Sequence, residues 1–480
     1  MPKINKLFFY PPLAFARMGQ SPHPMESFSW GPNDESPRGL GETTLTPQPT
    51  LHLDDDGNVT VTKPDSEAEI KFKDKIGKKE VFRPVCPFFE LHAEIEHDGE
   101  VREAPVTPAL LDQFGLSLED VDWQVQVANR KAYHYTFNEA DKVQATVSIK
   151  GNHTQAIELK GLSPEGYDDR LADDVPIILG KAQLTKPNEE LPGLRIRITA
   201  SKGLIYAPTN FKEHVQKLID KGQTDLKGYL GIEDDQCILN PKADWNGWNP
   251  TAYHGDPRTN PGSLYAQSDN GVSLGVMDDS SDGLISCKIK GVDSVAYGRF
   301  TVGPQDFQPD RRHVVGVSDM LKDLVDRKNV EEPAYMDAKH WGLTEAEVQD
   351  LMEKVFETMS SSNLDVQNWR SNLANTRMGL SQEEADSLLF PQRISVPGND
   401  LPLTATGREY HRRFMVYEVF QDMMREQPSK FEDWVRDPNT DYMYYDKKMP
   451  ALMRGSDAYP LHLTRRQYNF LKHWISKIRS

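Results

Sequence analysis

The chain has 480 residues and a formal net charge of −17, from 73 acidic and 56 basic side chains. A surface this negative repels phosphate backbones and anionic lipids, which argues against nucleic acid or a membrane surface as a partner. Three cysteines are too few for a disulfide framework, and no apolar run approaches the roughly 20 residues of a membrane span. Pro11-Pro12 interrupts the apolar N-terminal stretch and argues against a signal peptide. We therefore expect a soluble, cytoplasmic protein.

The first 310 residues or so show the alternation of apolar and polar residues that is typical of half-buried strands. The alternating segments are 59–64, 68–75, 90–101, 123–137, 142–151, 194–203 and 282–304. Asp98-Gly99 falls inside one of them and predicts a two-residue hairpin turn. So many short antiparallel signals predict a sandwich-like or barrel-like architecture.

From residue 316 onward the apolar residues recur with the 3.6-residue period of an amphipathic helix. Three helical segments open with a capping box, in which a hydroxyl and a later side chain bond each other's backbone. These boxes are Thr344/Glu347, Ser381/Glu384 and Thr464/Gln467. A β-rich part followed by a helical part is an α+β layout. We predict a β-rich domain at 1–315 and a helical region at 316–480.

Two long loops interrupt the strand pattern, at 21–49 and 240–271. Loops of this length in a compact protein usually form or cover a functional site. The second contains Trp245, Trp248 and Tyr253, followed by His254. Since aromatic side chains commonly line ligand pockets, we expect the first three to bind substrate and His254 to be catalytic. The alternative is that these aromatic rings only anchor the loop to the core.

The turn at 278–283, Asp-Asp-Ser-Ser-Asp-Gly, carries three carboxylates. Asp278, Asp279 and Asp282 could include a general base, and they are our candidate catalytic acids. Acidic turns also cap strand ends by bonding their own backbone. We expect no metal site, although divalent metal binding by this turn remains an open alternative.

Three ordered blocks of sequence resemble the lysine ε-oxidase/glycine oxidase family. The blocks are Pro11–Ser21, the turn 278–283 with Gly303–Pro309, and Met449–Leu452 with Leu463, Thr464, Gln467, Leu471 and Trp474. Members of that family oxidise amines or amino acids with a cysteine tryptophylquinone made from their own side chains. The resemblance implies the family's α+β scaffold and an amino-acid or amine-like ligand. We take Arg17, in the first block, as a candidate substrate-binding residue.

The resemblance also bears on the cofactor. In the family the quinone cysteine lies near the Met-Pro-x-Leu stretch, and the modified tryptophan follows the last of these helices. Here no cysteine follows Cys287, and the sequence stops within that helix. We therefore expect the quinone to be absent and no other cofactor to replace it. A less favoured alternative is a quinone formed by Cys237 and Trp245, which lie eight residues apart.

Three hypotheses of function follow. The first is a family member without quinone that keeps a small-molecule pocket and performs acid–base chemistry, such as isomerisation, cyclisation or condensation. The second is a non-catalytic partner of another oxidase or of a flavoprotein, which a large exposed apolar patch on the helical half would favour. The third is an amine or amino-acid oxidase with the unorthodox Cys237–Trp245 quinone. Family enzymes are often oligomeric, so self-association is also expected.

Overall fold

A computed structural model describes most of the chain. The described residues are 3–33, 43–67, 69–166, 170–172, 175–222, 224–242, 275–305, 312–330, 341–361, 376, 379–387, 416–440, 448–450 and 461–478. They divide into two compact units. The first contains the described residues up to 305, except 30–33 and 43–45, which belong with the residues from 312 onward in the second. The sequence pattern placed the boundary at 315 and gave no sign of that N-terminal contribution.

The described part of the first 305 residues is mainly β-structure. Its strands are β1 Lys3–Tyr10, β2 Leu13–Arg17, β3 Phe28–Asn33, β4 Thr43–Pro47, β5 Thr50–Leu53, β6 Val59–Thr62, β7 Lys73–Ile76, β8 Lys79–Phe82, β9 Phe88–His97, β10 Glu100–Pro105, β11 Val121–Asn129, β12 Val143–Lys150, β13 Ile157–Gly161, β14 Ile177–Leu184, β15 Arg195–Thr199, β16 Ile205–Pro208, β17 Cys237–Leu239, β18 Met277–Asp278, β19 Ser281–Ile289 and β20 Val295–Gly303.

The described helices are α1 Pro108–Gln113, α2 Lys131–Thr136, α3 Phe211–Asp220, α4 Val317–Val330, α5 Trp341–Ser361, α6 Gln382–Ser387, α7 Val416–Glu426, α8 Phe431–Trp434 and α9 Arg465–Ile478. The longest of them, α4, α5, α7 and α9, belong to the second unit. Short 3₁₀ turns lie at Leu118–Asp120, Glu139–Asp141, Thr224–Gly231, Asp234–Gln236 and Pro428–Lys430. Within the described ranges, no helix is long and apolar enough to cross a bilayer.

Two open sheets form the body of the first unit. One has the strand order β1-β9-β15-β14-β13, with β10 also paired to β9, and the other has the order β12-β11-β19-β20-β2. The pairs are antiparallel except that of β2 with β20, which is parallel. The inward faces share one apolar core, in which Phe9 of the first sheet lies 5.5 Å from Trp123 of the second, centroid to centroid. This is a sandwich rather than a barrel, because neither sheet closes on itself.

The second unit buries an apolar core of its own. Helix α9 supplies its largest side chains, and the rings of Trp474 and Phe420 stack 5.9 Å apart. Arg466 on the same helix is buried and pairs with Asp326 and Glu347, so the basic residue joins the core rather than facing solvent. Arg436 is fully buried and donates to backbone carbonyls, including that of Pro450.

The α+β class and the antiparallel character of the β-rich part are confirmed. The Asp98-Gly99 turn joins β9 to β10 with positive φ at both residues, as a two-residue hairpin requires. The alternating segment 123–137 is only partly a strand, since 131–136 form α2. Thr344 lies inside α5, which begins at Trp341 rather than at the predicted cap. The other two boxes are present, with Ser381 and Thr464 bonded to Glu384 and Gln467.

Candidate functional site

A cavity of about 550 Å³ opens on the outer face of the six-stranded sheet. Its floor is the outward face of β14 and β15, because the alternate residues of both strands point into the sandwich core. Its walls come from the segment after β2, the residues around Pro84, and the loop between β15 and β16. A cavity of this size is typical of small-metabolite sites.

The segment after β2 is held in place by backbone contacts. Gly19 donates to the carbonyl of Ser201 at 3.2 Å, and Ser21 donates to the carbonyl of Phe82 at 3.0 Å. A Cβ at Gly19 would lie 2.5 Å from the nitrogen of Pro84, so the chain can pass this closely only with glycine there. The first sequence block therefore contributes a cavity wall.

Asp279 is the buried carboxyl group of this cavity, with 1% of its surface exposed. The backbone N–H of Gly203 lies 3.1 Å from both of its oxygens, and that of Leu204 donates to Oδ2 at 3.0 Å. Burial outweighs these donors and, with the nearby Asp278 charge, raises the pKa of Asp279 to about 6. A carboxyl group with such a pKa can donate and accept protons near neutral pH.

Tyr206 and Cys86 line the same cavity. Tyr206 follows the first residue of β16, whose pairing with β18 places it beside the Asp279 turn. Burial, with a contribution from the Asp279 charge, raises the pKa of Tyr206 to about 12, so its hydroxyl stays protonated and can donate. Burial also raises the pKa of the Cys86 thiol, although the neighbouring Arg197 opposes that shift. A neutral thiol is a poor nucleophile.

Arg197 is the main cation of the enclosed part of the cavity. It stands opposite Gln183 on β14, and its Nη2 lies 3.5 Å from the Oε1 of that glutamine. Its Nε is buried and has no hydrogen-bond partner. Burial lowers the pKa of Arg197, which marks a guanidinium that has lost water.

The three candidate acids of the 278–283 turn do not form one cluster. Asp279 alone lines the cavity. Asp278 pairs with Lys131 and accepts from the Ser280 hydroxyl, which is the strand-capping role that acidic turns often have. Asp282 is exposed on β19 and accepts from the Thr301 hydroxyl at 2.8 Å.

Arg17 does not line the cavity, although the residues that follow it do. Its Nη1 donates to the carbonyl of Pro304 at 3.1 Å, and its backbone pairs with Gly303 and Val85. These contacts tie β2 to neighbouring chain segments. The structure therefore gives Arg17 a positioning role in the wall beside the cavity rather than a place in it.

The aromatic-loop candidates, Trp245, Trp248, Tyr253 and His254, lie outside the described residues. Their predicted roles remain predictions. Cys237 is described: its Sγ lies 3.6 Å from the carbonyl of Glu233, and burial raises the pKa of its thiol.

A second Cys–Trp pair, which the sequence did not suggest, occurs in the sandwich core. Trp123 and Cys287 are cross-strand partners on β11 and β19, with 2% and 0% of their surfaces exposed. Burial raises the pKa of Cys287 far above its ordinary value. Because both side chains are enclosed by the core, a substrate cannot reach them, and we assign the pair to packing.

The sequence analysis missed Arg197, Gln183, Tyr206 and Cys86. Only the alternation of the segment 194–203 hinted at Arg197, because it places Arg195, Arg197 and Thr199 on one face. No group of three or more His, Cys, Asp or Glu side chains in the described ranges has the arrangement of a metal site. Searches against protein-family models and against curated protein sequences gave no match for this chain.

Proposed function

We propose that the chain binds a small amino-acid-like or amine-like metabolite in this cavity and performs cofactor-independent acid–base chemistry on it. The observation that carries the proposal is Asp279, a carboxyl group buried in a cavity with a pKa of about 6. Perturbed acids in clefts are enriched at functional sites. The resemblance to the lysine ε-oxidase/glycine oxidase family supports the class of ligand.

In this proposal Asp279 is the proton acceptor and donor. Ionised Asp279 removes a proton from an acidic carbon of the ligand, and the protonated carboxyl returns it at the same or another atom. The reaction consumes no oxidant, so it is an isomerisation or the proton-transfer step of a cyclisation or condensation. In the same proposal the Tyr206 hydroxyl, which stays protonated and lines the cavity, donates to an oxygen on which charge develops.

Deuterium exchange tests this chemistry whatever the product of the full reaction is. The protein is incubated in D₂O with single amino acids and small carboxylic acids, and loss of C–H signals is followed by proton NMR. We expect exchange with wild type, a loss of at least about 100-fold in Asp279→Asn, and little change in Asp122→Asn. Asp122 is a matched control because it is an exposed carboxylate of the same unit, paired with Lys150 at 2.6 Å. Equal exchange in wild type and Asp279→Asn would refute the role of Asp279.

The quinone alternative has a separate test. Intact mass and a redox-cycling quinone stain would reveal a tryptophylquinone at Cys237 and Trp245, because its formation adds two oxygens and removes four hydrogens, two in forming the quinone and two in the cross-link. An unmodified mass with no stain would remove the oxidase hypothesis.

A specific observation favours the second hypothesis, a role as a partner protein. Helix α4 exposes four apolar side chains in the second unit, and Leu324 and Val325 are 75% and 81% exposed. The other two are Met320 and Leu321. Contiguous apolar surface of this kind often marks an interaction site. Sedimentation of wild type and Leu324→Asp would test self-association through this face. The same mass in solution for both proteins would rule out self-association through α4.

A further inference from the structure

The cavity contains a half-buried cation, Arg197, that has no counter-ion among the described residues. Among the described residues no carboxylate forms an ion pair with Arg197, and its one hydrogen bond, to Gln183, is long at 3.5 Å. Two other arginines of the first unit do have carboxylate partners: Arg195 pairs with Glu90 at 3.1 Å, and Arg83 pairs with Asp74 at 2.8 Å. A partly desolvated guanidinium gains free energy when an anion approaches it, so Arg197 is a candidate point of contact for an anionic group.

The fold fixes Arg197 in this position. Its strand neighbours Ile196 and Ile198 are fully buried in the sandwich core, so the alternation of β15 directs Arg197 to the cavity side. Opposite it, Gln183 donates through Nε2 to the carbonyls of Asp54 at 2.7 Å and Thr154 at 3.0 Å. Those two bonds orient the amide so that its Oε1 faces Arg197.

His52 lies near Arg197 and provides a reporter of its charge. His52 directly precedes the cavity-lining Leu53, and its pKa is lowered by burial and by the charges of His23, Arg83 and Arg197. Glu26 opposes this shift. His52 therefore lies close enough to Arg197 to respond to its charge.

We propose that Arg197, with Thr199 beside it on β15, forms an anion subsite that holds a carboxylate or phosphate group of the ligand. The planar guanidinium matches both oxyanions, and a hydroxyl adds a further donor. The subsite rests on the proposed function because it names the group by which the ligand enters the same cavity. It implies that the ligand's anionic end lies at Arg197 while another part of the ligand reaches Asp279.

Selective observation of His52 provides the test. Histidine-labelled protein is titrated with succinate, inorganic phosphate and the neutral amide succinamide, at constant ionic strength, while the His52 ring signal and pKa are followed by NMR. We expect an oxyanion to raise the pKa of His52, because it neutralises Arg197, and succinamide to have no such effect. Whichever of succinate and phosphate binds more tightly identifies the anionic group as a carboxylate or a phosphate.

Two arginine variants make the result specific. In Arg197→Gln we expect the dissociation constant of the oxyanion to rise at least about tenfold, whereas Arg195→Gln, two residues away on the same sheet face, should bind as wild type does. No oxyanion effect on His52, or the same effect in both variants, would overturn the subsite. If the subsite is refuted but deuterium exchange by wild type still depends on Asp279, the proposed function stands without the subsite. If exchange is also absent, the subsite and the proposed function are both refuted.

Discussion

Replacing Asp279 with asparagine should change how the stability of the first unit depends on pH. The ordinary pKa of an aspartate is 3.8, and that of folded Asp279 is about 6. A difference of roughly 2 pKa units corresponds to about 3 kcal/mol, at 1.36 kcal/mol for each unit. Asparagine has no such titration, so this contribution disappears in the variant.

The direction follows from proton binding. The folded state holds the proton more tightly than the unfolded state, so the stabilisation is complete below pH 3.8 and is lost as pH rises through about 6. The free energy of unfolding of Asp279→Asn minus that of wild type should therefore become more positive by about 2 kcal/mol between pH 4 and pH 7, and by about 3 kcal/mol over a range that starts well below pH 3.8. Any fixed cost of placing an amide beside Gly203 and Leu204 shifts the whole curve without changing this trend.

Urea unfolding of both proteins at several pH values measures this difference, and all other titrating groups cancel between them. Asp122→Asn controls for loss of a carboxylate charge from the same unit, because its side chain is exposed and lies outside the cavity. A difference between Asp279→Asn and wild type that stays constant within about 0.5 kcal/mol would contradict the raised pKa. It would also remove the main support for Asp279 as a proton donor and acceptor.

Two further predictions concern packing and charge in the first unit. Gly283→Ala should lower the free energy of unfolding by about 1–3 kcal/mol in urea, because the added Cβ would lie 2.0 Å from the Phe300 ring. Gly228→Ala is the control, since a Cβ there meets open space and should cost far less. Equal losses in the two variants would refute the packing argument. Asp74→Asn should cost about 1–3 kcal/mol at pH 7, because Arg83 holds the pKa of Asp74 well below its ordinary value of 3.8. In wild type the stabilisation from ionised Asp74 is lost as pH falls below 3.8, so the stability difference between wild type and Asp74→Asn should shrink in acid. A stability difference that stays the same in acid would contradict the lowered pKa of Asp74.

Much of the fold could be predicted because its determinants are local. Strand β20 alternates over its whole length, and its inward residues Ala296, Phe300 and Val302 lie in the core that both sheets share. The Asp98-Gly99 turn needs only two residues that tolerate positive φ. Such features depend on residues only a few positions apart, so they can be predicted from a single sequence.

The errors came from contacts that are distant in sequence. Residues 131–136 alternate like a strand, yet Lys131 pairs with Asp278, 147 positions away, and the segment turns into α2 instead of extending β11. Glu347 follows Thr344 at the spacing of a capping box, yet it bonds Arg466, 119 positions away. In both cases the structure contains an ion pair between residues distant in sequence that the local pattern does not reveal.

The candidate site shows the same limit in a sharper form. Sequence reasoning chose the acids of one turn, and because side chains there point in different directions, only Asp279 reaches the cavity. Arg197 was not chosen because a cation in an alternating strand normally faces solvent. Arg197 lies in a cavity because the segment 19–24, more than 170 positions earlier in the chain, forms a wall over the outer face of β15. Because the described part of the chain gives Arg197 no carboxylate partner, we propose that the ligand supplies the anion.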